Sequence, residues 1–440
     1  MGVQPGLTHG TDGGAPAPRG ARALTRRALD RLPSSRTARV FVLVAFVDAF
    51  GRGFFLAGST LFYTQVIGLS AAQVGAGLSI AGLLGVACAV PIGRAADRFG
   101  DGPTLTALQL WRGASFLVYP FVDDFRMFLV VACLIGAVEQ AVGPIIQSVA
   151  GSTTEQGSPV QAMAFIAVAR NSAYALAAVL ATVVITVASS VAAYVGFVVA
   201  NALAFLATAA LLTRLRLPRP GDGGASDDRR DRRETGLGDR LLPFRDPRFL
   251  LLSLANGVLY LHVPILSVAF PLWIVTRTDA PRGFIGVALV MNTVMAVALQ
   301  VRFSRGGEDV ARAGRKQRAA GAALAAFCVL TAAIASVGPA LAGALTLLAA
   351  VPLTLGELWQ SAGGWGISYR FAPAEQRTYY LSIYQLGATG VAVAGPLVLS
   401  TAVVDHGYPG WFGLGAVFAL TGLAVPYLLG RRAAAAPPAR

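Results

Sequence analysis

The sequence predicts an all-α membrane protein, with twelve transmembrane helices arranged as two pseudo-symmetric six-helix bundles. Three observations lead there. Apolar residues make up 55% of the 440-residue chain and charged residues only 13%, about half the charged fraction of a soluble domain. Twelve runs are apolar enough, and close enough to the roughly 20 residues a crossing helix needs, to span a bilayer. One long polar segment divides them six and six.

Residues 1–36 are rich in Gly, Pro, Ala, Thr and Arg, contain no apolar run and read as a disordered basic arm. No short signal-peptide core precedes the first long apolar segment, so that segment is expected to stay in the membrane. The N-terminal bundle occupies 37–213, with spans at roughly 39–64, 71–94, 103–122, 126–150, 159–188 and 192–213. Residues 214–247 form a solvated central loop. The C-terminal bundle, 248–430, has spans at roughly 248–276, 283–303, 318–337, 340–366, 378–403 and 409–430, and 431–440 is a tail. Cys88, Cys133 and Cys328 all fall inside apolar runs and suggest neither a disulfide framework nor a metal site.

Charge sets the orientation. With the N-terminus in the cytoplasm, 30 of the 36 Lys and Arg lie on the inner side, against Arg126, Arg277 and Arg282 outside. Arg52, Arg112 and Arg170 lie within spans. This bias places both termini and the 214–247 loop in the cytoplasm of a cell whose plasma membrane the chain crosses. The net charge of +14 is then a topology signal. Nucleic-acid binding needs a folded basic face, and the central DDRRDRR block is nearly balanced.

The two halves resemble each other. Shifting the second half back by 211 positions aligns spans 1–2 with spans 7–8 and pairs Leu61 with Leu272, Val74 with Ile285 and Gly75 with Gly286. At a shift of 218, Glu139 in span 4 faces Glu357 in span 10. Internal repeats of this kind mark transporter folds whose site lies at mid-membrane between the repeats.

After span 2 the chain reads PIGRAADRFGDG, which resembles the signature loop of the major facilitator superfamily. Gly93, Asp97, Arg98 and Gly100 match that pattern, whereas Asp101 and Gly102 stand at its two terminal basic positions. The counterpart in the second half, FSRGGEDVARAGR, is degraded. The resemblance implies a conformational latch at Gly93, Asp97, Arg98 and Gly100, with Asp97 accepting hydrogen bonds at a helix N-terminus or pairing with an arginine. It also implies that spans 1, 4, 7 and 10 surround a central cavity. Two features common in proton-coupled exporters of the superfamily are missing. Glu139 stands four residues before Gly143, where such exporters carry arginine, and span 5 reads ARNSAYALAAVLA without their Gly-Pro-rich signature.

An ionisable side chain at the bilayer centre costs at least about 2.5–3.5 kcal/mol, so each should face a cavity and have a partner. In the opening run LVAFVDAFGRGFFLAG, Asp48 and Arg52 share one helical face and should compensate each other beside Glu139 and Arg170. Arg112 reads as scaffold, because third helices of the superfamily lie away from the cavity. In the C-terminal half the deep candidates are Glu357 in TLGELWQSAGGWG and His262 in LYLHVPIL. A carboxyl group buried without a cation holds its proton more readily, which is what a proton-coupled carrier needs. A lone intramembrane histidine such as His262 is more often a hydrogen-bonded packing residue. Asn256, Asn292, Gln300, Trp359, Gln360, Trp365 and Gln385 are further cavity candidates, each also able to serve as interhelical glue.

The function expected is secondary active transport by alternating access. Proton-coupled efflux of a small, partly hydrophobic molecule such as a drug or secondary metabolite leads, with proton-linked uptake or facilitated passage of a polar solute as the alternative. A transporter-like receptor or membrane enzyme is the rival from another class. His9, His262 and His406 are too scattered for a catalytic set, and no GxxxxGK[ST] loop is present for ATP. The expected partners are the substrate, the lipid bilayer and protons. The expectation includes no cofactor, no metal, no nucleic acid and a monomeric state.

Overall fold

A computed structural model describes residues 36–152, 158–187, 190–215 and 242–433. The basic arm, most of the central loop and the end of the tail lie outside the described residues. Among those described there are helices and turns but no strand.

Twelve helical segments follow one another: α1 (Arg36–Leu61, extended by a wide π turn Phe62–Val66), α2 (Ala71–Phe99), α3 (Asp101–Val118), α4 (Phe125–Ser152), α5 (Pro159–Val187) and α6 (Val191–Thr213). The second six are α7 (Pro247–Arg277), α8 (Gly283–Ser304), α9 (Val310–Ile334), α10 (Pro339–Phe371), α11 (Arg377–Leu399, extended by a π turn Ser400–Val404) and α12 (Tyr408–Ala433). Local chemistry starts several of them. Ser70 and Gln73 close a reciprocal capping box on α2, with 3.2 and 2.9 Å bonds. Asp246 accepts the amides of Arg248 and Phe249 at α7, and Asp309 accepts that of Arg312 at α9.

Eleven of these segments are long and apolar enough to cross a membrane. The twelfth, α3, is an 18-residue helix bearing Asp101, Gln109 and Arg112. Its polarity has a structural reason, given below. Several boundaries differ from the sequence expectation, two of them at charged residues. Helix α2 runs to Phe99 rather than 94, so the expected signature loop is mostly helix, and α9 starts at Val310 rather than 318, extending through Arg312, Arg315, Lys316 and Arg318. Hydropathy finds where apolar character ends, but a helix continues into the polar interface.

The pseudo-symmetry is visible in the packing. In the first half α1 packs on α5 and α6, α3 on α4 and α6, and α2 on α4. In the second half α7 packs on α11 and α12, α9 on α10 and α12, and α8 on α10, the same five pairings six helices later. The bundles meet where α2 and α4 touch α11 and where α5 touches α8 and α10. Apolar side chains such as Leu83, Val130, Val290, Leu397 and Leu420 stay exposed on the outside, as a surface facing lipid requires.

By the alternation of the spans, α1 and α7 begin, and α6 and α12 end, on one face. Arg94, Arg98, Arg245, Arg248, Arg312, Lys316, Arg370 and Arg377 gather there. It is called the basic face below.

Candidate functional site

The deepest polar feature is a four-charge network in the N-terminal bundle. Helix α1 places Asp48 and Arg52 one turn apart, α3 supplies Gln109 and Arg112, and α4 supplies Glu139. One Arg112 nitrogen lies 3.1 Å from Asp48 and another 3.1 Å from Glu139. Arg52 lies 2.5 Å from Glu139 but 4.0 Å from Asp48. The short partner of Asp48 is therefore Arg112 rather than its helical neighbour. Gln109 donates to Asp48 (2.8 Å) and accepts from Arg112 (2.7 Å). The Arg112 guanidinium also lies 3.7 Å from the centre of the Phe205 ring on α6, a cation–π contact.

Arg112 is only 1% exposed. A buried cation must be matched by fixed anions and hydrogen bonds, and here two carboxylates balance two guanidiniums. This explains the polarity of α3, whose sequence carries the cation and the glutamine that the network needs. Arg112 is scaffold in that it is sealed from any cavity, and it is also the centre of the network.

Arg170 and Glu357 stand apart from this arrangement. Neither has an opposite charge within 4.0 Å among the described residues. Both are half-buried. Asn292 on α8 donates to Glu357 (3.0 Å) and to Thr354 (2.9 Å). Tyr260 on α7 lies within electrostatic reach of Arg170, Glu357 and Tyr174, and Arg170 reaches Asp48 and Glu139 in the same way. Asp48, Arg112, Glu139, Arg170, Tyr260 and Glu357 lie eleven to fourteen residues from the basic ends of their helices, which at about 1.5 Å per residue is a common depth of roughly 17–21 Å.

Other expected cavity residues are placed elsewhere. Gln360 donates to Asn256 (2.9 Å), and Gln317 donates to the Gln360 carbonyl, so this set ties α7, α9 and α10 together. His262 is 3% exposed at a step in α7, with Nδ1 3.0 Å from the Leu259 carbonyl and its ring edge-on to Tyr260. Gln300 is buried, and Trp359 rests on Phe303 at 5.4 Å. Trp365 packs on the N-terminal core, and Gln385 donates to Gln147, both across the bundle interface.

The basic face is closed by a second polar cluster. Asp97 accepts the amides of Thr378 (3.0 Å) and Tyr379 (2.9 Å), capping the N-terminus of α11 from the other bundle. Asp101 accepts the Thr378 hydroxyl (2.8 Å) and the Ser148 hydroxyl (2.6 Å). A side chain at Gly93 would collide with Ser382 and Thr378, so only glycine lets the helices approach this closely. Gly100, at φ 98°, makes the one-residue turn into α3, a conformation costly for other residues. Arg94 donates to the Tyr379 hydroxyl (2.7 Å) and lies over its ring. Arg98 instead is exposed over Phe99.

Further across this face Gln147 donates to Ser368, Tyr369 donates to the Gln147 carbonyl, and Ser158 donates to Glu308. The hydrogen bonds named here that join the bundles all lie in this basic half. Asp101 was legible only as a mismatch to the signature, and Thr378, Ser148 and Gln147 gave no signal. Their roles come from contacts between segments more than two hundred residues apart in the case of Thr378 and Asp101.

The Major Facilitator Superfamily family model matches residues 41–356. Among solved structures, a bacterial homologue of the iron transporter ferroportin in an outward-facing state aligns at TM-score 0.67 and 13% identity, covering 91% of this chain and 100% of that one. The transporter FucP in its outward conformation aligns at TM-score 0.66 and 15% identity over 90% and 98%. The human organic anion transporter MFSD10 aligns at TM-score 0.60 and 17% identity over 90% and 100%. No curated protein sequence matches the chain.

The four-charge network predicts the effect of removing its centre. Arg112→Gln should leave two carboxylates facing one another beside Arg52 alone and cost about 3–5 kcal/mol. Thermal unfolding of the purified protein should register a large fall in midpoint, whereas Arg98→Gln should leave it near the parent value. Equal midpoints for the two variants would remove Arg112 from the centre of the bundle.

Proposed function

The chain belongs to the Major Facilitator Superfamily, and on that premise we propose that it is a proton-coupled secondary transporter that exports a small, partly hydrophobic molecule by alternating access. The carrying observation is the inequality among its membrane-interior carboxylates. Asp48 and Glu139 each have two arginine neighbours, whereas Glu357 has none within 4.0 Å among the described residues. Proton exchange at Asp48 or Glu139 would unbalance a buried network. At Glu357 it changes one charge, on a half-buried side chain whose hydrogen-bond partner, Asn292, is neutral.

In this account the basic face is cytoplasmic, as the bias of 30 cationic residues against 3 argues. The closure at Asp97, Asp101 and Gly93 then holds the outward-facing state of a plasma-membrane carrier. Substrate leaves toward the outside as Glu357 takes up a proton. The bundles rock, the α2–α11 closure opens, and Glu357 delivers the proton inward before the next substrate binds. One cavity between two bundles of one chain suffices for this cycle, so the working unit is a monomer. Tyr174 and Tyr260, near the mid-depth charges, suit a substrate with an apolar or aromatic body.

Three outcomes follow. With the native cysteines replaced, a cysteine at Ala225 should react with an impermeant label only from the cytoplasmic side; labelling from outside intact cells would reverse the orientation. Asp97→Asn should weaken the α11 cap by about 1–2 kcal/mol and slow transport without loss of folded protein. Transport at the parent rate would leave the closure without a functional part. Glu357→Gln should abolish movement driven by a pH gradient in proteoliposomes while downhill exchange of substrate continues. Unchanged gradient-driven movement would take proton coupling away from Glu357.

A further inference from the structure

Four of the six charges inside the membrane neutralise one another at Asp48, Arg52, Arg112 and Glu139. The two left over have opposite signs and lie on opposite bundles, Arg170 on α5 and Glu357 on α10. They share nearly the same depth, and Tyr260 is within electrostatic reach of both. Helix α5 packs directly on α8 and α10, the helices that carry Asn292 and Glu357, and both charged side chains are half-buried, so the two charges lie at one contact between the bundles.

We infer that the bundle contact carrying these two charges recognises amphoteric molecules, with a protonated amine of the substrate at Glu357, an anionic group such as a carboxylate at Arg170, and an apolar body between them. A singly charged substrate leaves one of these two charges without a counterion at mid-membrane depth, which is costly. A molecule bearing both charges satisfies both, through charge-assisted hydrogen bonds that are among the stronger polar contacts available.

This inference rests on the proposed role of Glu357 as the proton site, and it supplies the coupling. An amine and a proton compete for the same carboxylate, so binding of one expels the other and exchange follows. An anion held by Arg170 alone would do the reverse, because it favours a protonated Glu357 and draws the proton along with it.

The test uses the purified full-length protein in lipid nanodiscs and four probes of similar size: para-(aminomethyl)benzoate, benzylamine, benzoate and benzyl alcohol. Calorimetric titration should show the amphoteric probe binding about tenfold tighter than either singly charged one, the increment of one further charge-assisted contact. Arg170→Gln should reduce it to the affinity of benzylamine, and Glu357→Gln to that of benzoate. Arg170→Lys, which keeps the charge, should retain most of the preference for the anion and so report on folding and recognition together. An amphoteric probe that binds no better than benzylamine or benzoate, or fails to bind, overturns the inference. Proton-driven flux measured on the same variants separates the two ideas. If Glu357→Gln loses flux yet keeps its preference for the amine, the proton role stands and the recognition role fails. If the amine preference is lost with flux intact, the proton role is the one that fails.

Discussion

Arg112 carries its charge where water does not reach, at 1% exposure, and the arrangement of the N-terminal bundle follows from keeping that charge satisfied. It fixes α3 against α1 through Asp48, against α4 through Glu139 and against α6 through the face of Phe205. In water these contacts would each be worth little, because surface ion pairs are screened and cost side-chain entropy. In a bilayer an uncompensated charge has no solvent to fall back on, so removing one partner destabilises far more than the net worth of the pair. The network thus specifies which helices are neighbours, a task that apolar contacts perform poorly when lipid is as apolar as the helix surface.

The same constraint separates structural charges from those free to act. Charges locked in mutual pairs cannot change state cheaply during a transport cycle. Glu357, with no ion pair within 4.0 Å among the described residues, is the carboxylate proposed above to do so, whereas Arg170 keeps a fixed charge. The contact between the bundles obeys a related rule at the basic face. There Asp97 and Asp101 accept hydrogen bonds from backbone amides and a hydroxyl of the other bundle, with Arg377 within electrostatic reach of Asp101 but not in an ion pair with it. Hydrogen bonds of this kind can be exchanged for water one at a time as the bundles part, whereas a buried ion pair would resist separation. Rigidity is thereby concentrated inside one bundle and reversibility between the two.

Much of the fold was legible in the sequence because a membrane writes itself into composition. The long helices and their repeated packing pattern follow from apolar run length and a weak self-alignment. The helix ends were less legible, since α2 and α9 continue through the charged residues that hydropathy excludes. Of the site, the residue types were legible and the pairings were not. Asp48 and Arg52 are neighbours in sequence, but the short contact of Asp48 runs to α3. Asn256 and Gln360 look like cavity residues by their polarity and are in fact joined to each other. Asp101 breaks the signature pattern, yet it bonds Thr378 and Ser148 in the closure. Each failure has one cause: periodicity assigns a residue to a helix and a depth, but the rotation of each helix is decided by its neighbours.

The central claim is that the network carboxylates stay ionised while Glu357 exchanges a proton. Infrared difference spectroscopy of the reconstituted protein, titrated from acid to alkaline buffer, tests it most directly. A protonated-carboxyl band that moves to lower frequency in deuterated buffer should titrate in the parent protein, persist in Asp48→Asn and Glu139→Gln, and vanish in Glu357→Gln. Persistence of the band in Glu357→Gln, or its loss in either network variant, would contradict the account.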